Sequence, residues 1–165
     1  MIEAIFDELG GTFAGVPFYV SAARLIAAVV LAAVIGFERE RREKPAGLRT
    51  HILVSLAACL FVIVGIELTQ LDFIDDQNTQ YDPLRFIEAV TAGVAFLAAG
   101  IIFTSQGKVK NITTGASLWL AGAIGLACGA GQIPLAALTC AIVLIVLVLI
   151  RQLEKALGTH ADAED

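Results

Sequence analysis

Four charged side chains fall inside stretches that are otherwise apolar: Arg24, Glu67, Arg85 and Glu88. A charge within a bilayer is costly, so it faces a partner, a wet cavity or the interface. Arg85 and Glu88 stand three residues apart, a helical spacing that puts both on one face within pairing reach. Arg24 stands about one turn into its own apolar segment, where it can meet Glu88. Two readings of Arg24, Arg85 and Glu88 stand side by side. In one they form an intramembrane polar pocket, with Glu88 as a proton or cation site. In the other they are an ion pair that fixes helix packing, or they snorkel to the interface. Glu67, close to the end of its segment, reads as interfacial.

A second constellation is denser. Glu38-Arg39-Glu40-Arg41-Arg42-Glu43-Lys44 mixes signs and suits a salt-bridged extension of a helix, ended by Pro45 and Gly47. Gly47-Leu48-Arg49-Thr50-His51 then opens the next apolar segment. A helix N-terminus with Arg49, Thr50 and His51 can hold a phosphate or carboxylate; the same cations would also serve as topology anchors. A third motif is Asn111-Ile112-Thr113-Thr114-Gly115-Ala116-Ser117-Leu118-Trp119, where Asn111, Thr113 or Thr114 can cap a helix. Trp119 is expected to pack within protein. The acidic run with Asp72, Asp75, Asp76 and Asp82 lacks the spacing of a calcium loop and reads as solvated.

The chain offers little enzyme chemistry. Cys59, Cys128 and Cys140 lie in apolar runs without CxxC spacing and read as small fillers. There is no GxSxG, no phosphate loop and no HExxH. No metal, no cofactor and no catalytic residue is expected.

What must position these residues follows from composition. Of 165 residues, 58% are hydrophobic and 16% charged, against about a quarter charged in a soluble domain. Mean hydropathy is +0.82. Between Asn111 and Ile150 no side chain is charged. These features exclude a soluble enzyme, a nucleic-acid binder and a disordered chain, and continuous apolar runs exclude an alternating outer-membrane barrel. At roughly 20 residues per span, the pattern predicts an all-α integral membrane bundle of five transmembrane helices. They cover about 19–37, 48–68, 84–105, 112–129 and 133–150. Residues 1–18 are expected to lie on the membrane surface as an amphipathic segment, and 151–165 to form a tail. With five spans, nine of the eleven basic residues fall on one side. That side is then cytoplasmic, and the N-terminus is outside.

The order of Gly36-Phe37-Glu38-Arg39-Glu40, Ala46-Gly47-Leu48-Arg49-Thr50-His51, Asp82-Pro83-Leu84-Arg85 and Thr113-Thr114-Gly115-Ala116-Ser117-Leu118-Trp119 resembles the MgtC/SapB family. The match covers roughly residues 20–150. The resemblance implies a multi-pass protein of the bacterial inner membrane, linked to growth in low magnesium and to survival inside macrophages. It also implies regulation of another membrane protein, such as the F-type ATP synthase. The chain departs from the family pattern at Glu88, where a neutral amide is usual, and has fewer glycines over residues 93–100. Longer members carry a soluble C-terminal domain resembling ACT domains, and none is expected in the short tail here.

Two functions are therefore in play. One is a non-enzymatic regulator that binds another inner-membrane protein, with a homodimer through small-residue helix faces as a further expectation. The other is a small transporter or channel using Arg24, Arg85 and Glu88.

Overall fold

The computed structural model describes residues 15–70 and 82–157. It contains five long helices: α1 (Phe18–Glu40), α2 (Leu48–Leu68), α3 (Pro83–Ile101), α4 (Ile112–Gly129) and α5 (Ile133–Ala156). Each is long and apolar enough to cross a membrane, so the chain is a multi-pass membrane protein. The amphipathic segment expected at the N-terminus lies outside the described residues as far as residue 14. So do Asp72, Asp75 and Asp76 of the acidic loop and the last eight residues of the tail.

Local chemistry sets the helix ends. Asp82 accepts the Leu84 N–H at 2.9 Å, and Pro83 occupies the first turn of α3, where its missing donor costs nothing. Gly47 leaves α2 without a side-chain N-cap of its own. The Glu40 carboxylate, at the end of α1, accepts the Leu48 N–H at 2.7 Å instead.

Three boundaries differ from the sequence reading. The charged run does not carry α1 through Lys44; the chain turns after Glu40, with Glu43 at a φ of 55°. The third helix does not reach Ser105. It stops at Ile101, and an antiparallel hairpin follows, β1 (Phe103–Ser105) with β2 (Lys108–Lys110). Gln106 and Gly107 both take positive φ, the turn geometry that matches strand twist in a two-residue hairpin loop. At the other end of the chain, α5 continues through Arg151 to Ala156 rather than stopping at Ile150.

α4 is the central element and packs against all four other helices. Its small residues make this possible. A Cβ on Gly125 would fall 2.1 Å from the Ser55 carbonyl oxygen, and one on Gly129 would fall 2.7 Å from that of Cys59. The two glycines stand four apart, so one face of α4 lies backbone to backbone on α2, the close approach that small-xxx-small spacing permits. One buried cluster joins Ala28, Ile35, Cys59, Ile63, Ile124, Cys128 and Cys140 from α1, α2, α4 and α5. A second joins Val54, Ala58, Val90, Val94, Leu118 and Ala121 from α2, α3 and α4. All three cysteines are free and buried.

Candidate functional site

The ends of α1 and α3 and the starts of α2 and α4 gather at one end of the bundle, here called the basic end. Polar side chains from α1, α2 and α4 interlock there. Arg39 is 3% exposed, and its Nη2 donates to the Thr114 hydroxyl at 3.2 Å. His51 is fully buried. Its Nδ1 lies 2.8 Å from the Gly47 carbonyl oxygen, which only accepts, so Nδ1 carries the hydrogen. Its Nε2 lies 3.2 Å from Ser117 Oγ, and the Thr114 carbonyl lies 2.9 Å from the same oxygen, so the one Ser117 hydroxyl hydrogen is shared between these two acceptors in turn. Glu38 pairs with Arg42 one turn along. Glu38 Oε2 and Arg39 Nε are buried and hold no hydrogen bond. Deeper in the bundle, Ser55 donates to the Ala28 carbonyl at 3.2 Å.

Sequence-adjacent glycines let these groups meet. A Cβ on Gly36 would lie 2.8 Å from the Leu48 Cα, and one on Gly47 would lie 2.8 Å from Glu40 Oε2. The first-loop and fourth-helix motifs thus form one joint. It takes in Glu38, Arg39, Gly47, His51 and Thr114. Arg49 and Thr113 are exposed on its rim, and Thr50 is half-buried. Ser117 and Glu40 complete it, two residues that their types alone do not mark as site residues. Both lie inside the quoted motifs, so the signal was present. Asn111 caps α4 from the left-handed region (φ 65°) without a side-chain cap bond. Its Nδ2 donates to the Ile101 carbonyl at 3.2 Å, closing the base of the hairpin. Trp119 does not pack inside the protein: it is 50% exposed on the outer face of α4.

At the far end, no hydrogen bond or ion pair among the described residues joins Arg24, Arg85 and Glu88. Arg24 Nη1 donates to the Gly129 carbonyl at 2.8 Å, at the C-terminus of α4. That bond satisfies an orphan carbonyl, and the cation suits the negative helix end. Arg85 and Glu88 are exposed on α3, and among the described residues neither makes an ion pair. Glu67 accepts the Gly15 N–H at 3.0 Å and the Val16 N–H at 2.8 Å, tying the chain ahead of α1 to the end of α2.

Two concave features among the described residues are apolar. A groove of about 650 Å³ between α2 and α3 is lined by Leu53, Phe61, Leu68, Phe86, Gly93 and other apolar residues. A smaller one of about 200 Å³ between α3 and α4 includes Val94 and Trp119. Arg24, Arg85 and Glu88 line neither. Among the described residues no group of three or more His, Cys, Asp or Glu could hold a metal.

A sequence profile of the MgtC family matches residues 25–156. "Protein MgtC" of Brucella abortus (strain 2308) is 37% identical over 145 residues, which cover 88% of this chain and 57% of the relative. "Putative magnesium transporter YhiD" of Escherichia coli (strain K12) is 36% identical over 130 residues, 79% of this chain and 60% of the relative. The chain therefore spans less than two thirds of the curated relatives it matches. No solved structure matches it.

Proposed function

The chain belongs to the MgtC family, and from that footing we propose that it is a non-enzymatic inner-membrane protein of adaptation to low magnesium. It acts by binding another integral membrane protein rather than by passing ions. The observation that carries this reading is how the polar groups are used. Arg24 is bonded to the end of α4, and Arg39, His51, Thr114 and Ser117 are bonded to one another. The large concavity is an apolar groove beside α3, where Gly93 has no atom within 4 Å of the place a Cβ would take. Such an open small-residue face lets a second helix approach closely. By family resemblance the F-type ATP synthase is a partner to try first, and a second copy of this chain is the other. The basic end faces the cytoplasm by the distribution of Lys and Arg.

The name of the Escherichia coli relative favours the alternative, magnesium transport. Two measurements separate the readings. Proteoliposomes holding the oriented chain are expected to show no Mg²⁺ flux. A photo-crosslinking side chain at position 93 is expected to capture a discrete membrane protein in native membranes, while one at Leu149 on α5 captures lipid only. Flux that Arg24→Gln or Glu88→Gln abolishes would replace the regulatory reading with transport.

A further inference from the structure

The basic end carries a feature that neither the family nor the partner reading accounts for. Residues 103–110 form a hairpin that joins two helices long and apolar enough to span a membrane. Its register pairs Phe103 with Lys110 and Ser105 with Lys108. Cross-strand partners share a face, and alternate residues do too. Phe103, Ser105, Lys108 and Lys110 therefore lie on one face, with Thr104 and Val109 on the other. Phe103 is 51% exposed, and Lys108 is exposed. The positive-φ pair Gln106-Gly107 fixes the turn, and the Asn111 side chain clamps the base to Ile101. The face is built before any ligand arrives.

A like arrangement recurs at the neighbouring loop. Phe37 is exposed with the Arg41 guanidinium 5.8 Å from its ring centre, and Arg49 is exposed at the start of α2. The Arg39–Thr114 bond places this loop and the foot of the hairpin on the same end. At the end of α1 Glu38 is engaged by Arg42 and Glu40 by the Leu48 N–H, and Glu43 is exposed in the turn that follows.

We propose that this basic–aromatic end binds the headgroups of anionic phospholipids. Aromatic rings favour the headgroup level, and cations beside them meet phosphate while their stems stay in apolar surroundings. An acidic soluble protein would be drawn by the cations alone and would leave Phe103 without a role. An anionic lipid engages the ring and the lysines together. The inference goes beyond the partner reading and needs neither a second protein nor magnesium.

The test uses the full chain in proteoliposomes with trace spin-labelled phosphatidylglycerol or phosphatidylcholine, comparing the fraction of each lipid immobilised at the protein. The native chain is expected to prefer phosphatidylglycerol severalfold. The double variant Lys108→Gln/Lys110→Gln and, separately, Arg49→Gln lower that preference toward equal immobilisation of the two lipids, the double variant by more. Arg85→Gln, exposed at the opposite end, leaves it unchanged. Helix content of each variant is checked by circular dichroism, and Arg49→Gln keeps the test open should the hairpin variant not fold. Equal immobilisation of the two lipids by the native chain would overturn the proposal. So would a preference that survives both sets of changes, or one that Arg85→Gln lowers equally. Loss of preference only when a soluble acidic protein is added would replace lipid with protein as the occupant.

Discussion

Arg39 and Thr114 lie 75 residues apart in the chain, and a hydrogen bond of 3.2 Å joins them inside the protein. It links the end of α1 to the start of α4. His51 supplies the third arm through Ser117, so three helices are tied at one end by side chains that water does not reach.

Cutting this joint at one partner is expected to cost more than cutting it at both. Thr114→Val removes the hydroxyl and leaves another buried N–H group of Arg39 unpaired beside its orphan Nε, so it destabilises by about 1–3 kcal/mol. Arg39→Met with Thr114→Val removes donor and acceptor together and recovers part of that loss. Thermal unfolding in detergent micelles over the double-mutant cycle measures the coupling, expected at about 1–2 kcal/mol. Additive losses would mean that the bond contributes nothing of its own.

His51→Leu is expected to cost less than its complete burial suggests, about 1 kcal/mol. The Gly47 carbonyl still accepts the residue-51 backbone N–H at 3.2 Å, and the Ser117 hydroxyl still reaches the Thr114 carbonyl at 2.9 Å. Neither neighbour is orphaned. A loss of several kcal/mol in the same unfolding assay would show that the imidazole holds the joint in a way these partners do not replace.

The glycines divide sharply. Gly125→Ala puts a Cβ 2.1 Å from the Ser55 carbonyl, against backbone that cannot swing away, and is expected to destabilise by about 2–3 kcal/mol. Gly93→Ala and Gly100→Ala meet nothing within 4 Å and gain helix propensity, so they are neutral or stabilising by up to about 1 kcal/mol. Melting temperatures of the three variants check the contrast. If Gly93→Ala leaves the fold intact but abolishes crosslinking at that face, the partner reading gains support that stability alone cannot give.

Much of this was legible in the sequence, and the rest failed for identifiable reasons. Runs of about 20 apolar residues read directly as helices, because a bilayer demands that length. The hairpin was hidden because Ile101, Ile102 and Phe103 continue the hydropathy of α3; only Gln106-Gly107 marks the turn, and Gln is not a usual residue at positive φ. The pairing of Arg24 with Glu88 needed α1 beside α3, but both helices pack on α4, so Arg24 meets the end of α4 instead. The outward turn of Trp119 is not legible in the sequence, because a mid-helix position says nothing of which face turns outward. The motifs around Arg39, His51 and Thr114 were singled out separately, and the chain's length between them concealed that they are one joint.

Glu88→Gln is expected to change stability by no more than about 0.5 kcal/mol, the range of exposed substitutions away from special features. Glu88 is exposed, and among the described residues it makes no ion pair. Glu67→Gln, in contrast, weakens the charge-assisted bonds to the Gly15 and Val16 N–H groups. It is expected to raise the rate of proteolysis ahead of α1 without shifting global unfolding much. Equal behaviour of the two variants in limited proteolysis would remove the special role given to Glu67.

Magnesium is expected to act on the basic end from the lipid side. Mg²⁺ is a hard cation that takes oxygen ligands, and headgroup phosphates supply them. Lys108, Lys110 and Arg49 compete for the same phosphates, so their hold on anionic lipid weakens as Mg²⁺ rises. Raising free Mg²⁺ from micromolar to about 10 mM should lower the phosphatidylglycerol preference more than NaCl of equal ionic strength does, because screening alone acts through ionic strength. The comparison is made with the native chain and with Lys108→Gln/Lys110→Gln, which has less preference to lose and should respond less. A response to Mg²⁺ no larger than that to matched NaCl would leave the end a simple electrostatic anchor. A larger response would make the lipid headgroup the place where this chain's surroundings report magnesium.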